Sequence, residues 1–505
     1  MSTTTLPNPL SMQPSHPTRE RSVHARSIRL ALGSLALAVT ASALGQVVTP
    51  KYVVTELGSL DGSVGSTIAQ GINNAGEVVG YTRLGPTFSD PSRAFRTRPN
   101  QPVQPADSLG TLGGASSFAF AINAAGQVVG DADTAQAGPF GSTVRRAFRA
   151  DPGQPMIDLG TLAPSGGNNG FNNSGARNIN DQAVVVGFAT VPSNICLAAS
   201  RAFRSAPGAA INPATDDLGT LVPPTLNCPS LRSSSAWGVN NAGTVVGNSA
   251  TTLLQGIPNH AFRLAGAGLL EDLGALGLGP NSNAFAINDR GEAVGDSMID
   301  GNPFSGTTRA FLKTGSNPLL DLGDLGGGWA SAMAINTPLA GGPSQVVGRS
   351  GTAAPAAHGF VWTGNAVGGG TMVDLNARIA AGSPWEITFA RAINGRGQIV
   401  ADALRDGVRF TYHAVRLDPS DVAASVLLTS LTDPALALTS GQVSSLSDKL
   451  ANTVQSILAG QNKQAINQLS SFISAVQAQW KTGKVSSATA ATLTDAANAI
   501  IGTLV

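Results

Sequence analysis

The chain has 505 residues, and its 60 glycines, 30 prolines and 12% charged residues exclude long charged helices over most of its length. A hydrophobic content of 42% is sufficient for a core, so the many glycines and prolines indicate frequent turns rather than disorder. The formal net charge of +1 excludes nucleic acid or an anionic membrane surface as the main electrostatic partner.

Residues 1–45 have the pattern of a secretory signal peptide. Four arginines, the last at Arg29, precede the short apolar run LALGSLALAVTASALG, which ends in small residues. A membrane anchor is the alternative, but polar residues follow the run at once. We therefore expect cleavage after Ala43 or Gly45 and export from a bacterial cell, which leaves a secreted or cell-surface protein without a membrane span.

The next feature is an internal repeat. The phrase AFAINAAGQVVG at 119–130 returns as AFAINDRGEAVG at 284–295, and weaker copies raise the number to seven. Each copy holds an Ala-x-small-Ile/Val-Asn strand, a turn rich in Asn, Asp and Gly, and strands marked Val-Val-Gly, basic-Ala-Phe and Asp-Leu-Gly. Four short strands at a period of about 50 residues are typical of propeller blades. The copies align on Asn73, Asn123, Asn180, Asn240, Asn288, Asn336 and Asn394.

Small residues predict the order of the strands. Only small side chains fit where blades crowd near the central axis, and alanine recurs in the first strand of all seven copies, as at Ala69 and Ala119. We therefore predict this strand innermost, followed outward by Val-Val-Gly, basic-Ala-Phe and Asp-Leu-Gly.

The ends of the repeat region predict how the ring closes. The last copy stops after three strands at 413–415, whereas 52–58 is an outer strand without a blade of its own. This N-terminal strand would complete blade seven and leave no free sheet edge. The prediction for 52–417 is therefore a mainly β fold, a closed seven-bladed β-propeller, with an open solenoid as the alternative.

The repeats resemble the HAF family of bacterial extracellular repeats, named after the His-Ala-Phe seen here at 260–262. The likeness covers roughly residues 52–417 and includes all four parts in order. It implies the architecture and the extracellular setting. The biochemical role of that family is poorly defined, so the resemblance implies no activity.

A charged pair recurs across the third and fourth strands. A ring of cationic ligand sites is one interpretation, but sevenfold recurrence favours a charge-assisted bond repeated in every blade. The basic slot holds Arg93, Arg146, Arg201, His260, Arg309, His358 and His413. The facing slot holds Ser108, Asp158, Asp217, Asp272, Asp321 and Asp374, with Glu56 opposite His413.

Catalytic motifs are missing from the sequence. The three histidines that follow the signal segment all occupy the structural slot, and no nucleophile elbow, His-Glu-x-x-His helix or phosphate-binding glycine loop occurs. The Asn-x-x-Gly hairpins lack the dense carboxylates that calcium requires. We therefore predict no enzyme, no cofactor and no metal site, and a carboxylate pair acting as in a glycosidase stays open.

One face of the propeller is predicted to carry the long loops. Loops that leave the second strand and loops that enter the first lie on the same side, and the longest are 81–92, 131–145, 188–200 and 220–234. Trp329 and Trp385 are predicted in loops entering blades six and seven. They are candidates for stacking on a sugar or anchoring a peptide, with packing over the blade ends as the alternative.

The two cysteines fall in two of these loops. Cys196 lies between the second and third strands of blade three, and Cys228 lies between that blade and the next. In an oxidising compartment an isolated pair favours a disulfide over a metal site. Two free thiols are the alternative.

From Asp421 the spacing of apolar residues changes to 3.6, which predicts a helical domain over 421–505. A short first helix ends before Pro434. The domain resembles the FIMAH domain of secreted bacterial proteins through 467–469, Asn-Gln-Leu, and 472–473, Phe-Ile. Three apolar stripes follow Pro434: Val443, Leu446, Leu450, Val454 and Ile457; Ile466, Leu469, Phe472, Ile473, Val476 and Trp480; Leu493, Ala497, Ile500 and Leu504.

These features predict a secreted, non-enzymatic, monomeric propeller that binds an extracellular glycan or protein through its long-loop face. A structural surface or matrix protein without a specific ligand is one alternative. An extracellular polysaccharide hydrolase or lyase is the other.

Overall fold

The computed structural model describes residues 51–505 except 64–66, 88, 139–141, 164–171, 192–198, 223–232, 253–257, 302–306, 340, 355, 366 and 409–410. The predicted signal peptide and both cysteines lie outside the described residues. So do parts of the predicted long loops.

The strands of the repeat region form seven antiparallel sheets. In chain order they are β1 (Tyr52–Glu56) of blade seven; β2 (Thr67–Ile72), β3 (Val78–Arg83) and β4 (Ser92–Arg96) of blade one; β5 (Gly113–Ile122), β6 (Val128–Ala137), β7 (Thr143–Ala150) and β8 (Ile157–Asp158) of blade two; β9 (Ser174–Ile179), β10 (Val185–Val191) and β11 (Ala199–Arg204) of blade three; β12 (Ser234–Val239), β13 (Val245–Ala250), β14 (Asn259–Leu264) and β15 (Glu271–Asp272) of blade four; β16 (Ser282–Ile287), β17 (Ala293–Met298), β18 (Thr308–Lys313) and β19 (Leu320–Asp321) of blade five; β20 (Gly326–Ile335), β21 (Ser344–Thr352), β22 (Ala357–Asn365) and β23 (Gly369–Asp374) of blade six; and β24 (Trp385–Ile393), β25 (Ile399–Arg405) and β26 (His413–Pro419) of blade seven.

The seven-bladed propeller is confirmed. The first strand of every blade contacts the first strands of both neighbouring blades, and β2 contacts β24, so these strands surround the axis. The alanine of the repeat is fully buried in all seven. A Cβ added to Gly71 would lie 3.1 Å from the carbonyl oxygen of Phe120 in the next blade, so this position favours small residues, with Asn178 of blade three as the exception.

The strand β1 lies at the outer edge of blade seven. It pairs antiparallel with β26 along its whole length, from Tyr52 opposite Pro419 to Glu56 opposite Val415. The side chains of Tyr52 and Leu57 are fully buried. Tyr52 packs in the apolar core of blade seven with Val415 and Leu417, and this burial raises the pKa of its hydroxyl.

The fourth strand of most blades is shorter than the sequence pattern suggested. It has two residues in blades two, four and five, and blades one and three show a single bridge. The aspartate of Asp-Leu-Gly gives the reason. Asp272 Oδ1 accepts a hydrogen bond of 2.8 Å from the backbone N–H of Gly274, whose φ of 71° turns the chain out of the sheet.

The predicted loop at 131–145 is wrong for most of its length. β6 continues to Ala137 and β7 begins at Thr143, so much of this segment is an extended hairpin. β10 likewise continues to Val191. Polar strand residues such as Asp133 explain the error, because the carboxylate of Asp133 binds Arg145 at 3.0 Å across the hairpin.

The seven aligned asparagines form a closed ring of hydrogen bonds. Each Nδ2 donates to the backbone carbonyl oxygen of the corresponding asparagine in the next blade, at 2.8–3.1 Å, and Asn394 returns the ring to Asn73. The same side chain caps its own hairpin, since Asn240 Oδ1 accepts from the backbone N–H groups of Ala242 and Thr244. The asparagine therefore joins neighbouring blades as well as shaping the turn.

Four helices follow the last strand directly: α1 (Ser420–Ser430), α2 (Ser440–Leu458), α3 (Asn462–Lys481) and α4 (Ser487–Leu504). Their shared core includes Leu446, Leu469 and Leu493, one residue from each predicted stripe. Trp480 was predicted in that core but is 47% exposed, because it lies at the end of α3. None of the described helices is long and apolar enough to cross a membrane.

The helical domain packs on the outer edge of blade seven. Ser420 Oγ donates to the carbonyl oxygen of Lys51 at 3.1 Å and also bonds Thr503 Oγ1 at 2.8 Å. Val53 of β1 packs against the helical core. The strand β1 therefore contacts both parts of the molecule.

Candidate binding site

The variable residue of the Ala-x-small strand is partly exposed near the axis, next to a fully buried alanine. These seven residues are Gln70, Phe120, Arg177, Trp237, Phe285, Met333 and Arg391. The residue after Val-Val-Gly, or its counterpart in blade seven, lies beside them on the second strand. That position holds Tyr81, Asp131, Phe188, Asn248, Asp296, Arg349 and Asp402.

Arg177 organises this region in blades two to four. Its guanidinium lies 4.1 Å from the ring centre of Phe120 and 4.9 Å from that of Phe188. Its Nη1 lies 3.0 Å from Asp131 Oδ2. Burial raises the pKa of Asp131 and lowers that of Arg177, and their mutual attraction opposes both shifts. This cation is thus already occupied by protein groups.

Asp296 is bound by neutral groups instead. Asn283 Nδ2 donates to its Oδ1 at 2.9 Å, and Ser331 Oγ donates to its Oδ2 at 2.8 Å. Burial raises the pKa of Asp296 because these two hydrogen bonds and the nearby Arg349 only partly compensate for lost hydration.

A pocket of about 580 Å³ opens between blades one, six and seven. Ala356, Gly407 and Tyr412 belong to connections between second and third strands, so the pocket lies on the predicted long-loop face. Its volume falls in the usual range for ligand sites, roughly 300–1,000 Å³. Other lining residues are Ile68, Arg349, Glu386, Thr388, Phe389, Arg391, Asp402 and Leu404.

Two arginines of the pocket lining, Arg349 and Arg391, lie next to aromatic rings. The Arg349 guanidinium lies 5.4 Å from the ring centre of Trp329 and 5.0 Å from that of Phe389. The Arg391 guanidinium lies 4.4 Å from the ring centre of the same Phe389. We call these four side chains the arginine–aromatic stack. Such contacts hold a guanidinium plane without consuming its hydrogen-bond donors.

Some charged side chains of the pocket form ion pairs within the protein, and one does not. Arg391 binds Asp402 through two nitrogens, at 2.9 and 2.6 Å from Oδ2, and Glu386 lies 3.6 Å from His358 Nε2. Within the described part of the chain, exposed Arg349 forms no ion pair of 4.0 Å or less. It is the pocket cation that is available to a ligand.

The two tryptophans proposed as ligand contacts are not in loops, so that part of the prediction is wrong. Trp329 lies within β20 and Trp385 begins β24, because the first strands of blades six and seven start earlier than the repeat consensus. Trp329 supports Arg349. Trp385 packs edge-on against His413, with ring centres 5.3 Å apart, and the Arg405 guanidinium lies 5.3 Å from its ring centre.

The basic slot lies where the alignment placed it, on the third strand of each blade. His260 Nδ1 lies 2.9 Å from Asp272, His358 Nδ1 lies 2.7 Å from Asp374, and His413 Nδ1 lies 2.7 Å from Glu56. These contacts link third and fourth strands within single blades, which is a structural arrangement.

Arginine behaves differently in the same slot. Arg309 lies 2.8 Å from Asp324, whereas Asp321 of the facing strand is farther away, at 3.7 Å. Arg146 donates to the backbone of Asn172. Arg93 stands opposite Thr82, and Arg201 opposite Ala189. On the facing strand, Ser108, Asp158 and Asp217 accept bonds from backbone N–H groups of Gly110, Gly160 and Gly219.

Sequence reasoning missed the stack and the pocket, although one signal was present. The repeat restricts the alanine, the small residue and the asparagine, whereas the residue between alanine and the small position varies among aromatic, cationic, amide and thioether types. Variation inside an otherwise restricted strand marks a position that faces neither blade core. Within the described ranges, no three His, Cys, Asp or Glu side chains are placed to hold a metal ion.

Comparison with known proteins bears on the C-terminal part of the chain. Residues 435–502 match the FIMAH domain family, in agreement with the resemblance of the helical region. A search of curated protein sequences finds no match to the chain. The molecule thus combines a seven-bladed β-propeller with a C-terminal FIMAH domain.

Proposed function

We propose that this chain is a secreted, non-enzymatic binding protein that engages an extracellular glycan or protein through the long-loop face of its propeller. The observation that carries the proposal is the 580 Å³ pocket on that face, which combines an unpaired cation with aromatic side chains. Pockets with a few polar groups set among apolar and aromatic ones are the usual form of ligand sites.

A binding role fits the groups around the pocket better than catalysis does. Asp402 is held by Arg391, and Glu386 Oε1 lies 3.6 Å from His358 Nε2, so both carboxylates already have partners in the protein. A hydrolase or lyase would need a carboxyl group as acid or base in the pocket, and Glu386 and Asp402 are the carboxylates that line it. The structural-protein alternative predicts no saturable ligand.

The test is a binding screen of the mature protein against glycans and cell-wall fractions. We expect saturable binding that Tyr412→Ala weakens roughly tenfold or more, because an aromatic side chain at a pocket rim commonly anchors a partner. Trp480→Ala is the matched control, since Trp480 is 47% exposed on the helical domain and Tyr412 is 46% exposed. Loss on Trp480→Ala alone would assign binding to the FIMAH domain. Absence of binding supports a structural protein, and shortening of a polymer supports an enzyme.

Export also predicts a disulfide between Cys196 and Cys228. Cys196 lies between β10 and β11, Cys228 lies between residue 222 and β12, and antiparallel strand order brings the end of β10 and the start of β12 to the same face. Closing the loop of about 33 residues contributes roughly 3–4 kcal/mol in the chain-entropy model. Mass spectrometry of the unreduced exported protein should show the two cysteines joined. Labelling of both thiols under these conditions would contradict the bond.

A further inference from the structure

We propose that the pocket binds a sugar unit carrying one carboxylate, and that Arg349 is the residue that recognises this carboxylate. The inference deepens the proposed function and rests on it. It is carried by three observations: the place of Arg349 in the repeat, the support of its guanidinium, and the charge balance of the pocket.

Arg349 departs from its repeat position. The corresponding residue in the other blades is tyrosine, phenylalanine, asparagine or aspartate, and Arg349 is the sole arginine among the seven. A residue that recurs around the ring serves the blades, as the His–carboxylate contacts do. Arg349 occurs at this position in one blade only, beside a pocket, so it does not serve a structural role that is repeated in every blade.

The stack fixes the guanidinium but leaves its edge free. Trp329 and Phe389 contact it through ring faces or edges, at 5.4 and 5.0 Å. Neither ring can accept the five in-plane N–H donors of arginine. A supported guanidinium with free donors is suited to a planar, two-oxygen anion, which it binds with two parallel hydrogen bonds.

The charge balance limits the ligand to few negative charges. Arg349 and Arg391 face Glu386 and Asp402 in the same lining, so the formal charges of these four groups cancel. Asp296 also lies near Arg349, but it is outside the lining and its carboxyl accepts hydrogen bonds from Asn283 and Ser331. A ligand with one carboxylate finds the unpaired cation, whereas an acidic peptide with several carboxylates would also meet Glu386 and Asp402. Like charges of this kind discriminate against the wrong partner.

The remaining polar groups favour a sugar. Glu386 and Asp402 are acceptors, while Thr388 and Tyr412 carry hydroxyl groups that can donate or accept. A polyhydroxylated ring supplies donors and acceptors to such groups. Phe389 and Tyr412 add apolar surface for the C–H faces of the ring.

The experiment is titration calorimetry at low salt with the mature full-length protein. The probes are galacturonosyl-galactose, a disaccharide that carries one carboxylate, the neutral galactose disaccharide of the same linkage, and the dipeptide Glu-Glu. The variants are Arg349→Gln and, as a control for net charge, Arg98→Gln, since Arg98 is also exposed but follows β4 and does not line the pocket.

We expect the acidic disaccharide to bind more tightly than the neutral one and the dipeptide. Arg349→Gln should weaken its binding roughly tenfold or more, the usual effect of losing a charge-assisted pair. Arg98→Gln should leave it unchanged. Arg349→Lys should recover only part of the affinity, because lysine lacks the planar pair of donors.

Three outcomes would overturn the inference: no binding of the acidic probe, equal binding of the neutral probe or the dipeptide, or wild-type affinity in Arg349→Gln. The proposed function has a separate outcome. If a partner from the glycan and cell-wall screen depends on Tyr412 but not on Arg349, the binding role stands and the acidic-sugar inference fails. If the screen yields no partner, the proposed function itself fails.

Discussion

A protein that begins at Ser59 should unfold at a markedly lower temperature than one that begins at Lys51, and it should self-associate. The shorter chain lacks β1, so β26 becomes an unpaired sheet edge, which is a template for pairing with another chain. It also loses the fully buried side chains of Tyr52 and Leu57. Burial of each contributes about 2 kcal/mol or more.

The same truncation should loosen the helical domain. Without β1, Ser420 loses its bond to Lys51 and the helical core loses Val53. Thermal unfolding, light scattering after size exclusion, and limited proteolysis of the region after residue 420 measure the three effects. A chain starting at Ser59 that remains monomeric and equally thermostable would falsify closure of the ring by the N-terminal strand.

The sequence was sufficient for the architecture because the repeat encodes local chemistry. Alanine and glycine in the first strand indicate that the blades crowd at the axis, and the Asn, Asp and Gly residues of the turns indicate hairpins. These requirements are the same in every blade, so seven imperfect copies reinforce one pattern. The length of the fourth strand was less predictable. The aspartate of Asp-Leu-Gly identifies the strand in the sequence, but its side chain also accepts from the glycine N–H of the turn that ends the strand, as Asp272 does from Gly274.

The candidate site was not predictable in the same way. Trp329 and Arg349 lie on adjacent strands of blade six and Phe389 lies in blade seven, so their contact depends on how two blades pack. The repeat carries no information about it, since Trp329 and Arg349 each occur in one copy only and Phe389 recurs only as Phe118 of blade two. The asparagine ring was predictable in part. Asn240 is a recurring residue of the repeat, but its hydrogen bond to Asn288 depends on the neighbouring blade.

Replacing Asn240 by aspartate should destabilise the propeller strongly at neutral pH. The retained Oδ1 still caps the hairpin through Ala242 and Thr244, so the change removes chiefly the link to the carbonyl oxygen of Asn288, now 3.0 Å from Nδ2. In the variant, a carboxylate oxygen takes the place of Nδ2 and faces the carbonyl oxygen of Asn288. The site is buried, since Asn240 is only 5% exposed. A buried charge without a partner costs about 2–4 kcal/mol.

The pH dependence separates this repulsion from a defect of the hairpin. Burial and the facing carbonyl raise the folded-state pKa of the introduced carboxyl above its unfolded value of about 3.9. The loss of stability is therefore complete above the folded-state pKa, and it shrinks as the pH falls through that value, because the protonated carboxyl can donate to Asn288. Thermal unfolding from pH 8 to pH 4 measures this change in stability.

Asn317→Asp, in an exposed turn, is the control and should change stability by less than about 0.5 kcal/mol. A loss that is independent of pH would locate the defect in the hairpin. No loss at pH 8 would mean that the ring joining Asn394 to Asn73 follows from blade packing and does not hold the blades together.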